Sequence, residues 1–329
     1  MKATLARWVE QGWYGSGKRL LWLWPLGWLV ARVARQRLLA FRARGQRPPV
    51  PVLVVGNITV GGTGKTPLVV ALCQEAQKRG WRVAIISRGY GAKPPQFPWR
   101  VEVGQSAQVA GDEPLMLAQK TGVPVYIAPE RAQALNAALE EKPHLIISDD
   151  GLQHYGLPRS AEIVVLDGVR GLGNGRCLPA GPLREPAERL QEVDWLVANG
   201  GEFPGATTMI LAPTVFWQPS TGARLQPEEF LQQYPEVHAM AGIGHPERFF
   251  RTLAALGLKQ HPHGFPDHHA YSVEELQFEP PFPVVMTEKD AVKAAPLLGQ
   301  RAWVLLVEAK LPGEFFEAVF ERLRKEKNP

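Results

Sequence analysis

A lysine–threonine pair, Lys65 and Thr66, closes a glycine-rich loop that begins at Asn57. In loops of this kind, successive backbone N–H groups converge on phosphate oxygens, and the following helix adds the positive end of its dipole. The lysine then reaches the outer phosphates of a nucleoside triphosphate, and the threonine hydroxyl is placed to bind Mg²⁺. The residues that we expect to hold the nucleotide are Asn57, Thr59, Gly61, Gly62, Thr63, Gly64, Lys65 and Thr66.

The sequence on either side of this loop agrees with phosphate binding. Residues 52–55 form an apolar run rich in β-branched side chains, which is typical of a buried parallel strand, and Pro67 suits the first turn of a helix. The loop departs from the G-x-x-x-x-G-K-[ST] pattern at its first glycine, where Thr59 stands. Gly61 and Gly62 can supply the missing flexibility. The alternative is a glycine-rich turn with an exposed lysine, and the flanking strand and helix patterns argue against it.

Two adjacent carboxylates, Asp149 and Asp150, follow a second apolar run at residues 145–147. In P-loop proteins an acid at the end of a neighbouring strand holds or orients Mg²⁺. The sequence therefore predicts metal handling at this strand end. A proline- and glycine-rich segment, residues 178–186, is expected to be a rigid connector, and it includes an arginine–glutamate pair.

Composition limits the class of protein. The chain has 329 residues, of which 45% are hydrophobic, so it is long enough for two domains with ample cores. Its two cysteines, Cys73 and Cys177, lack the spacing of a disulfide framework or a metal site, which favours a reducing compartment. The net charge of +5 divides into +9 for residues 1–47 and −4 for the rest. Because the positive charge is confined to the N-terminus, we expect no nucleic acid partner for the globular body.

The N-terminal segment, residues 1–47, also contains five of the ten tryptophans. Its uncharged run, residues 20–31, has 12 residues, fewer than the roughly 20 that span a bilayer. Mixed Trp, Leu and Arg favour a helix that lies in the headgroup region of an anionic membrane surface. Two alternatives stay open, namely a helix packed on the protein's own core and arginines that bind an anionic substrate.

Alternating strand and helix patterns predict an α/β fold built on a parallel sheet with right-handed crossovers. We predict a P-loop NTPase-like domain with flanking helices at residues 48–212 and a smaller α/β domain at residues 213–329. The membrane-associated helix of residues 1–47 precedes them. The stretch 213–227 has little helical pattern and is predicted to be an extended linker. Residues 261–269 hold half of the eight histidines, but no nearby ligand completes a metal set.

The ordered set of motifs resembles that of the tetraacyldisaccharide 4'-kinase family, the membrane-associated lipid A 4'-kinases of the bacterial inner membrane. The resemblance runs from the N-terminal helix to the last strand, and the order is specific although each motif is short. The matching motifs are GNITVGGTGKTP at 56–67, SRGYG at 87–91, GDEP at 111–114, DDGLQH at 149–154, LPAGPLREP at 178–186, DH at 267–268 and TEKD at 287–290.

The resemblance implies a kinase that uses ATP and Mg²⁺ to phosphorylate the 4'-hydroxyl of a tetraacylated glucosamine disaccharide 1-phosphate. It implies a peripheral or monotopic enzyme on the cytoplasmic face of the inner membrane, held by the N-terminal segment. The residues it implies in catalysis are Asp112 as the base, His268 as its partner, Lys65, and Gln153 and His154 close to the reacting phosphate. Those it implies at the metal are Thr66, Asp149, Asp150 and Glu185, and those implied to contact substrate anions are Arg88 and Arg184.

Alternatives to this reading follow from the residues alone. Asp112 could equally be a helix N-cap, because it precedes a glutamate and a proline. A membrane-cycling P-loop ATPase of the partition or septum-positioning type would carry a signature lysine where this chain has Val60, and its membrane helix is usually C-terminal. A nucleotide-binding scaffold without catalysis would not need Asp112 together with the two strand-end acids.

Overall fold

The structure is a computed structural model that describes residues 2–15 and 20–327 of the chain. Its helices are α1 (Lys2–Tyr14), α2 (Trp24–Ala43), α3 (Lys65–Lys78), α4 (Ala107–Ala110), α5 (Asp112–Thr121), α6 (Arg131–Leu139), α7 (Pro227–Gln233), α8 (Pro246–Ala255), α9 (Glu288–Leu298) and α10 (Gly313–Lys327). Short 3-10 helices lie at Leu21–Leu23, Ala187–Glu192, Glu274–Leu276 and Gly299–Arg301.

The strands are β1 (Val52–Gly56), β2 (Val83–Ser87), β3 (Trp99–Arg100), β4 (Val125–Ile127), β5 (Leu145–Asp149), β6 (Ala161–Asp167), β7 (Trp195–Asn199), β8 (Thr207–Trp217), β9 (Arg224–Leu225), β10 (Glu236–Ala241), β11 (Lys259–Gly264), β12 (Val284–Met286) and β13 (Ala302–Lys310). They form one sheet in the order β11-β10-β12-β13-β8-β7-β6-β1-β5-β2-β4-β3, and β9 pairs with β8.

Two parallel regions of this sheet meet at an antiparallel pair. Strands β1, β2 and β4 to β8 are parallel, and so are β10 to β13. The two regions join where β8 runs antiparallel to β13. The fold class predicted from the sequence, a P-loop-type parallel sheet with flanking helices and a second α/β unit, is confirmed.

Strand β8 passes from one region into the other. It begins beside β7 and ends beside β13, so the predicted boundary at residues 212–213 falls within it. The first part of the stretch predicted as a linker is therefore sheet. Pro213 weakens the strand pattern in the sequence, and the pairing with β13 shifts register between Leu306 and Val307, opposite this proline. Such a bulge lets a strand accept a proline.

The strands at the centre of the sheet position the site. All five residues of β1 are buried, and β1 is hydrogen-bonded to β5 on one side and β6 on the other. Because these strands are parallel, the residues that follow their carboxyl ends meet at one edge of the sheet. That edge carries the phosphate loop after β1 and the acidic turn after β5.

Helix α2 packs on the P-loop region by one face and exposes the other. A Cβ at Gly27 would lie 2.8 Å from the carbonyl oxygen of Cys177, so the helix and that loop are in close contact. On the outward face, Trp24 and Trp28 are both 57% exposed, and Trp22, in the 3-10 helix just before α2, is 73% exposed. Among the described residues, no helix combines the length and the apolar character that crossing a bilayer requires.

Candidate active site

The phosphate loop runs from the end of β1 to Lys65, the first residue of α3. Gly64, just before the helix, has a left-handed backbone with φ of 91°. A Cβ at Gly64 would overlap the side-chain amide of Asn199, whose Nδ2 donates a hydrogen bond to the carbonyl oxygen of Thr63 at 2.9 Å. Glycine is therefore the residue that fits here, and the loop is held at the N-terminus of α3, where Thr66 also lies.

A backbone pairing with the proline-rich connector braces the same loop. The N–H of Val60 donates to the carbonyl of Pro182 at 2.9 Å, and the N–H of Arg184 donates to that of Ile58 at 2.6 Å. Thr59 lies between these two bonds and does not adopt a positive φ. The pairing explains why this position does not need the glycine of the usual pattern.

Asp150 is an anion held between two cations. Its Oδ1 lies 3.3 Å from Lys65 Nζ, and its Oδ2 lies 3.3 Å from Nη1 of Arg184. Burial alone would raise the pKa of Asp150, but the charges of Lys65 and Arg184 lower it to about 2. The backbone of Asp150 is left-handed, with φ of 49°, which is uncommon outside glycine. This turn directs the carboxylate at the P-loop lysine.

Asp149 differs from its neighbour because no described side chain pairs with it. It is 1% exposed, and neither carboxylate oxygen has a hydrogen-bond partner among the described residues. Burial and the nearby charge of Glu113 raise the pKa of Asp149 to about 7, against the opposing charge of Lys65. A buried carboxylate without a partner is unfavourable, and a divalent cation would satisfy it. The residue therefore fits a metal ligand.

Glu185, another acid expected at the metal, is buried and already has partners. Its Oε1 accepts a hydrogen bond from Gln153 at 2.8 Å, and its Oε2 accepts one from the hydroxyl of Tyr155 at 2.6 Å. Within residues 2–15 and 20–327, no three His, Cys, Asp or Glu side chains gather as a preformed metal site. An ion at this edge would take further ligands from phosphate oxygens and water, as Mg²⁺ usually does.

Gln153 and His154 follow the two acids in the turn after β5. Nε2 of Gln153 also donates to the carbonyl oxygen of Asn57, in the phosphate loop, at 3.0 Å. Burial and the positive charges of Arg131 and Arg88 lower the pKa of His154 to about 4, so its ring is neutral near neutral pH. Arg88, exposed at the end of β2, is thus within electrostatic reach of this turn.

Asp112 and His268 come together from the two regions of the sheet. Nδ1 of His268 lies 3.4 Å from Oδ2 of Asp112, and the imidazole packs against Tyr90 with 5.0 Å between ring centroids. Asp112 is the first residue of α5, whereas Gly111 occupies the N-cap position. The side chain of Asp112 is therefore not used as the helix cap that the sequence left open.

Two lysines to which the sequence motifs gave no role lie beside this pair. Lys293 Nζ is 2.8 Å from Asp112 Oδ2, and Lys289 Nζ is 2.8 Å from Glu113 Oε1. Both lysines belong to α9 and are four residues apart, so they face the same way. The sequence offered this spacing and, for Lys289, its place in the TEKD motif, but neither says which acids the lysines meet.

A phosphate loop that meets strand-end acids, with a carboxylate–histidine pair close by, is the arrangement of a P-loop phosphotransferase. Proteins of this class bring a phosphoryl donor and an acceptor to the same edge of a parallel sheet. The chain belongs to the tetraacyldisaccharide 4'-kinase family, because the family model described as tetraacyldisaccharide-1-P 4'-kinase matches residues 19–324.

Individual relatives agree with the family model. The chain is 53% identical over 320 residues to the tetraacyldisaccharide 4'-kinase of Alcanivorax borkumensis, covering 97% of this chain and 98% of that one. It is 52% identical over 315 residues to the Pseudomonas aeruginosa (strain LESB58) protein of the same name, covering 94% of each chain. The crystal structure of the "apo" form of LpxK from Aquifex aeolicus in complex with ATP matches with a TM-score of 0.74 and 28% identity, over 92% of this chain and 99% of that one.

The family membership confirms the activity predicted from the motifs. The chain is a kinase of lipid A biosynthesis that phosphorylates the 4'-hydroxyl of a tetraacyldisaccharide 1-phosphate. The comparisons favour this function over the membrane-cycling ATPase.

Proposed function

We propose that the phosphoryl donor is ATP, bound with its triphosphate in the loop between β1 and α3. The observation that carries the proposal is the position of Lys65, which begins α3 directly after the tightly packed Gly64. The Aquifex aeolicus relative was crystallised in complex with ATP, which supports the same donor here. On binding, Lys65 would exchange Asp150 for the outer phosphates, and residues 57–64 would supply backbone N–H groups.

Mg²⁺ is proposed to bind with the nucleotide, held by the Thr66 hydroxyl and the carboxylates of Asp149, Asp150 and Glu185. Asp149 supports this most strongly, because both of its oxygens are buried and lack partners among the described residues. Bound Mg²⁺ supplies positive charge that stabilises the transferring phosphoryl group. Asp150 and Glu185 have protein partners, so they would exchange them or reach the ion through water.

Asp112 is proposed to accept the proton of the 4'-hydroxyl, with His268 holding its carboxylate. The pKa of a free Asp is about 3.9, far too low to remove a sugar hydroxyl proton before attack. The transition state of phosphoryl transfer is loose, so the proton leaves late and an oriented carboxylate is sufficient. Because His268 comes from the second region of the sheet, closing the two regions together would also exclude water.

Four further side chains are proposed to handle phosphate groups. Gln153 and His154 would lie against the transferred phosphate, and a neutral His154 can form a hydrogen bond there without adding charge. Arg184 and Arg88 offer guanidinium groups for anionic parts of the acceptor. The supporting observation is their placement: Arg88 follows β2, Gln153 and His154 follow β5, and Arg184 lies in the connector that braces the phosphate loop.

The acceptor is proposed to be presented from an anionic membrane surface by residues 1–47, which attach the chain peripherally or monotopically to the cytoplasmic face of the inner membrane. The exposed tryptophans of α2 and of the 3-10 helix before it support this, because an exposed aromatic surface of this kind suits the headgroup region. Residues 48–212 are proposed to act as the nucleotide-binding domain and residues 213–329 as the smaller domain that supplies His268. No nucleic acid partner is proposed.

Transfer from γ-labelled ATP to tetraacyldisaccharide 1-phosphate tests the assignment of the base. Asp112→Asn should lower kcat by about 10²- to 10⁴-fold and leave the affinity for ATP unchanged. Normal turnover in that variant would remove Asp112 from the role of base. Free phosphate as the sole labelled product of the wild-type enzyme would instead favour the ATPase.

A further inference from the structure

The carboxylate of Asp112 is contacted by two side chains on the same oxygen. Lys293 Nζ lies 2.8 Å from Oδ2, and His268 Nδ1 lies 3.4 Å from that atom. No hydrogen bond from a described residue ends on Oδ1. The lysine is the nearer of the two partners, and the second oxygen of the carboxylate is left for a hydroxyl.

The side chain of Lys293 is largely buried and directed at Asp112, not extended into solvent. Its side chain is 17% exposed, and its Nζ lies 5.7 Å from the centroid of the Tyr271 ring. One turn earlier on α9, Lys289 is bound instead by Glu113 at 2.8 Å and Asp267 at 2.9 Å. Lys289 therefore has two acids of its own and also lies 3.4 Å from Nε2 of His268. Of the two lysines, only Lys293 contacts the proposed base.

We propose that Lys293 is a positioning residue for phosphoryl transfer, which fixes the Asp112 carboxylate by its Oδ2 and keeps Oδ1 directed at the acceptor hydroxyl. The proposal rests on the proposed role of Asp112 as the base. Lys293 touches neither substrate nor nucleotide in this account and acts through the carboxylate. Lys293 and His268 then hold the carboxylate together, and the contact from Lys293, at 2.8 Å, is shorter than that from His268, at 3.4 Å.

The charges around the carboxylate also set the pH at which Asp112 takes up a proton. The titratable groups facing Asp112 are Glu113 on its own helix, Lys289 and Lys293 on α9, and Asp267, His268 and Tyr271 on the preceding loop. Burial raises the pKa of Asp112, while His268 and Lys293 lower it below its ordinary value. Without Lys293, burial is opposed mainly by His268, so the carboxyl takes up a proton at a higher pH.

The test compares Lys293→Met with Lys293→Arg and with a matched control, Lys120→Met. Lys120 forms an ion pair between the same two helices, with Glu288 at 2.7 Å, but does not touch Asp112. Lys293→Met should lower kcat by about 10- to 100-fold at unchanged KM for ATP. It should also move the acid limb of the kcat–pH profile to higher pH, because the lysine charge no longer lowers the pKa of Asp112. Lys293→Arg should keep the wild-type limb, and Lys120→Met should change neither quantity.

The outcomes separate this proposal from the one on which it rests. If Asp112→Asn is inactive while Lys293→Met keeps the wild-type kcat and acid limb, Lys293 is a structural residue and the positioning role is wrong. If Asp112→Asn is fully active, Asp112 is not the base. The positioning role of Lys293 is then wrong as well, because it depends on that assignment. Should Lys293→Met not fold, Lys293→Gln replaces it, because it keeps a donor without the charge. An unmoved acid limb in that variant would overturn the proposal equally.

Discussion

Lys65 and Asp150 are ion-paired, with 3.3 Å between Nζ and Oδ1. The lysine that is expected to bind the outer phosphates is thus already neutralised by the turn after β5. A bound triphosphate must displace the Asp150 carboxylate before Lys65 can contact the outer phosphates. Arg184, 3.3 Å from the other oxygen, can retain the released carboxylate.

This competition predicts opposite effects of Asp150→Asn on two forms of the nucleotide. Without the competing anion, metal-free ATP should bind up to about fivefold more tightly, the size expected for a partly exposed ion pair. If Asp150 helps to hold Mg²⁺, the affinity for MgATP should fall in the same variant. Calorimetry with and without EDTA measures both quantities, and a parallel change in the two affinities would contradict the competition.

Asp149 predicts a pH-dependent stability of the nucleotide-free enzyme. Its folded pKa of about 7 lies above the unfolded value of about 3.9, so the folded state holds the proton more tightly. The stabilisation is therefore complete below about pH 4 and is lost as the pH rises towards 7. Asp149→Asn removes this dependence. The Tm of the variant minus that of the wild type should therefore increase as the pH rises from about 5 to 8.

Magnesium provides the control for the Asp149 prediction. At about pH 8 and with ATP present, Mg²⁺ should raise the Tm of the wild type more than that of Asp149→Asn. Equal responses of the two proteins to Mg²⁺, or parallel pH profiles, would show that Asp149 is not the unpaired acid of this account.

The packing of the phosphate loop predicts different effects at two of its glycines. Gly64 and Gly61 both have positive φ, 91° and 108°, so alanine at either position introduces roughly 1–2 kcal/mol of backbone strain. A Cβ at Gly64 would also collide with Asn199, whereas nothing lies within 4 Å of one at Gly61. Gly64→Ala should therefore unfold more easily than Gly61→Ala, by at least about 1 kcal/mol more in denaturant titrations. Equal losses would mean that the contact with Asn199 is not tight.

The exposed tryptophans of α2 and of the 3-10 helix before it predict membrane binding. Replacing Trp22, Trp24 and Trp28 together by Ser should weaken sedimentation with anionic phospholipid vesicles by more than about tenfold, because their apolar area would no longer be buried in the headgroup region. Ile210→Ser is the control, since this residue is 59% exposed but lies on β8. An equal loss in both variants, or none in the first, would argue against attachment through α2.

The phosphate loop and the strand-end acids could be predicted because their signals are local. A buried strand, glycines and Lys65-Thr66 follow one another along the chain, and the neighbouring acids follow an apolar strand in the same way. The order of such elements determines which strand ends meet at one edge of a parallel sheet. The family of the chain followed from the order of these motifs.

The contacts that cross the sheet could not be predicted from the sequence. Lys293 meets Asp112, and Asn199 meets the loop at Gly64, only because distant segments are brought together by the fold. The course of β8 was missed for a related reason, because a proline inside a strand is tolerated only where the partner strand provides a bulge. The roles of the site residues stay predictions that the experiments above address.

Phosphoryl transfer that depends on Lys65 is tested most directly by following the labelled phosphate of γ-labelled ATP in wild-type enzyme and in Lys65→Ala, with tetraacyldisaccharide 1-phosphate in anionic vesicles. We predict that the wild type places the label on the lipid in equal amount to the ADP formed. Lys65→Ala, which lacks the contact to the outer phosphates, should produce neither. Labelled lipid at the wild-type rate from Lys65→Ala would show that Lys65 is not needed to hold the triphosphate for transfer.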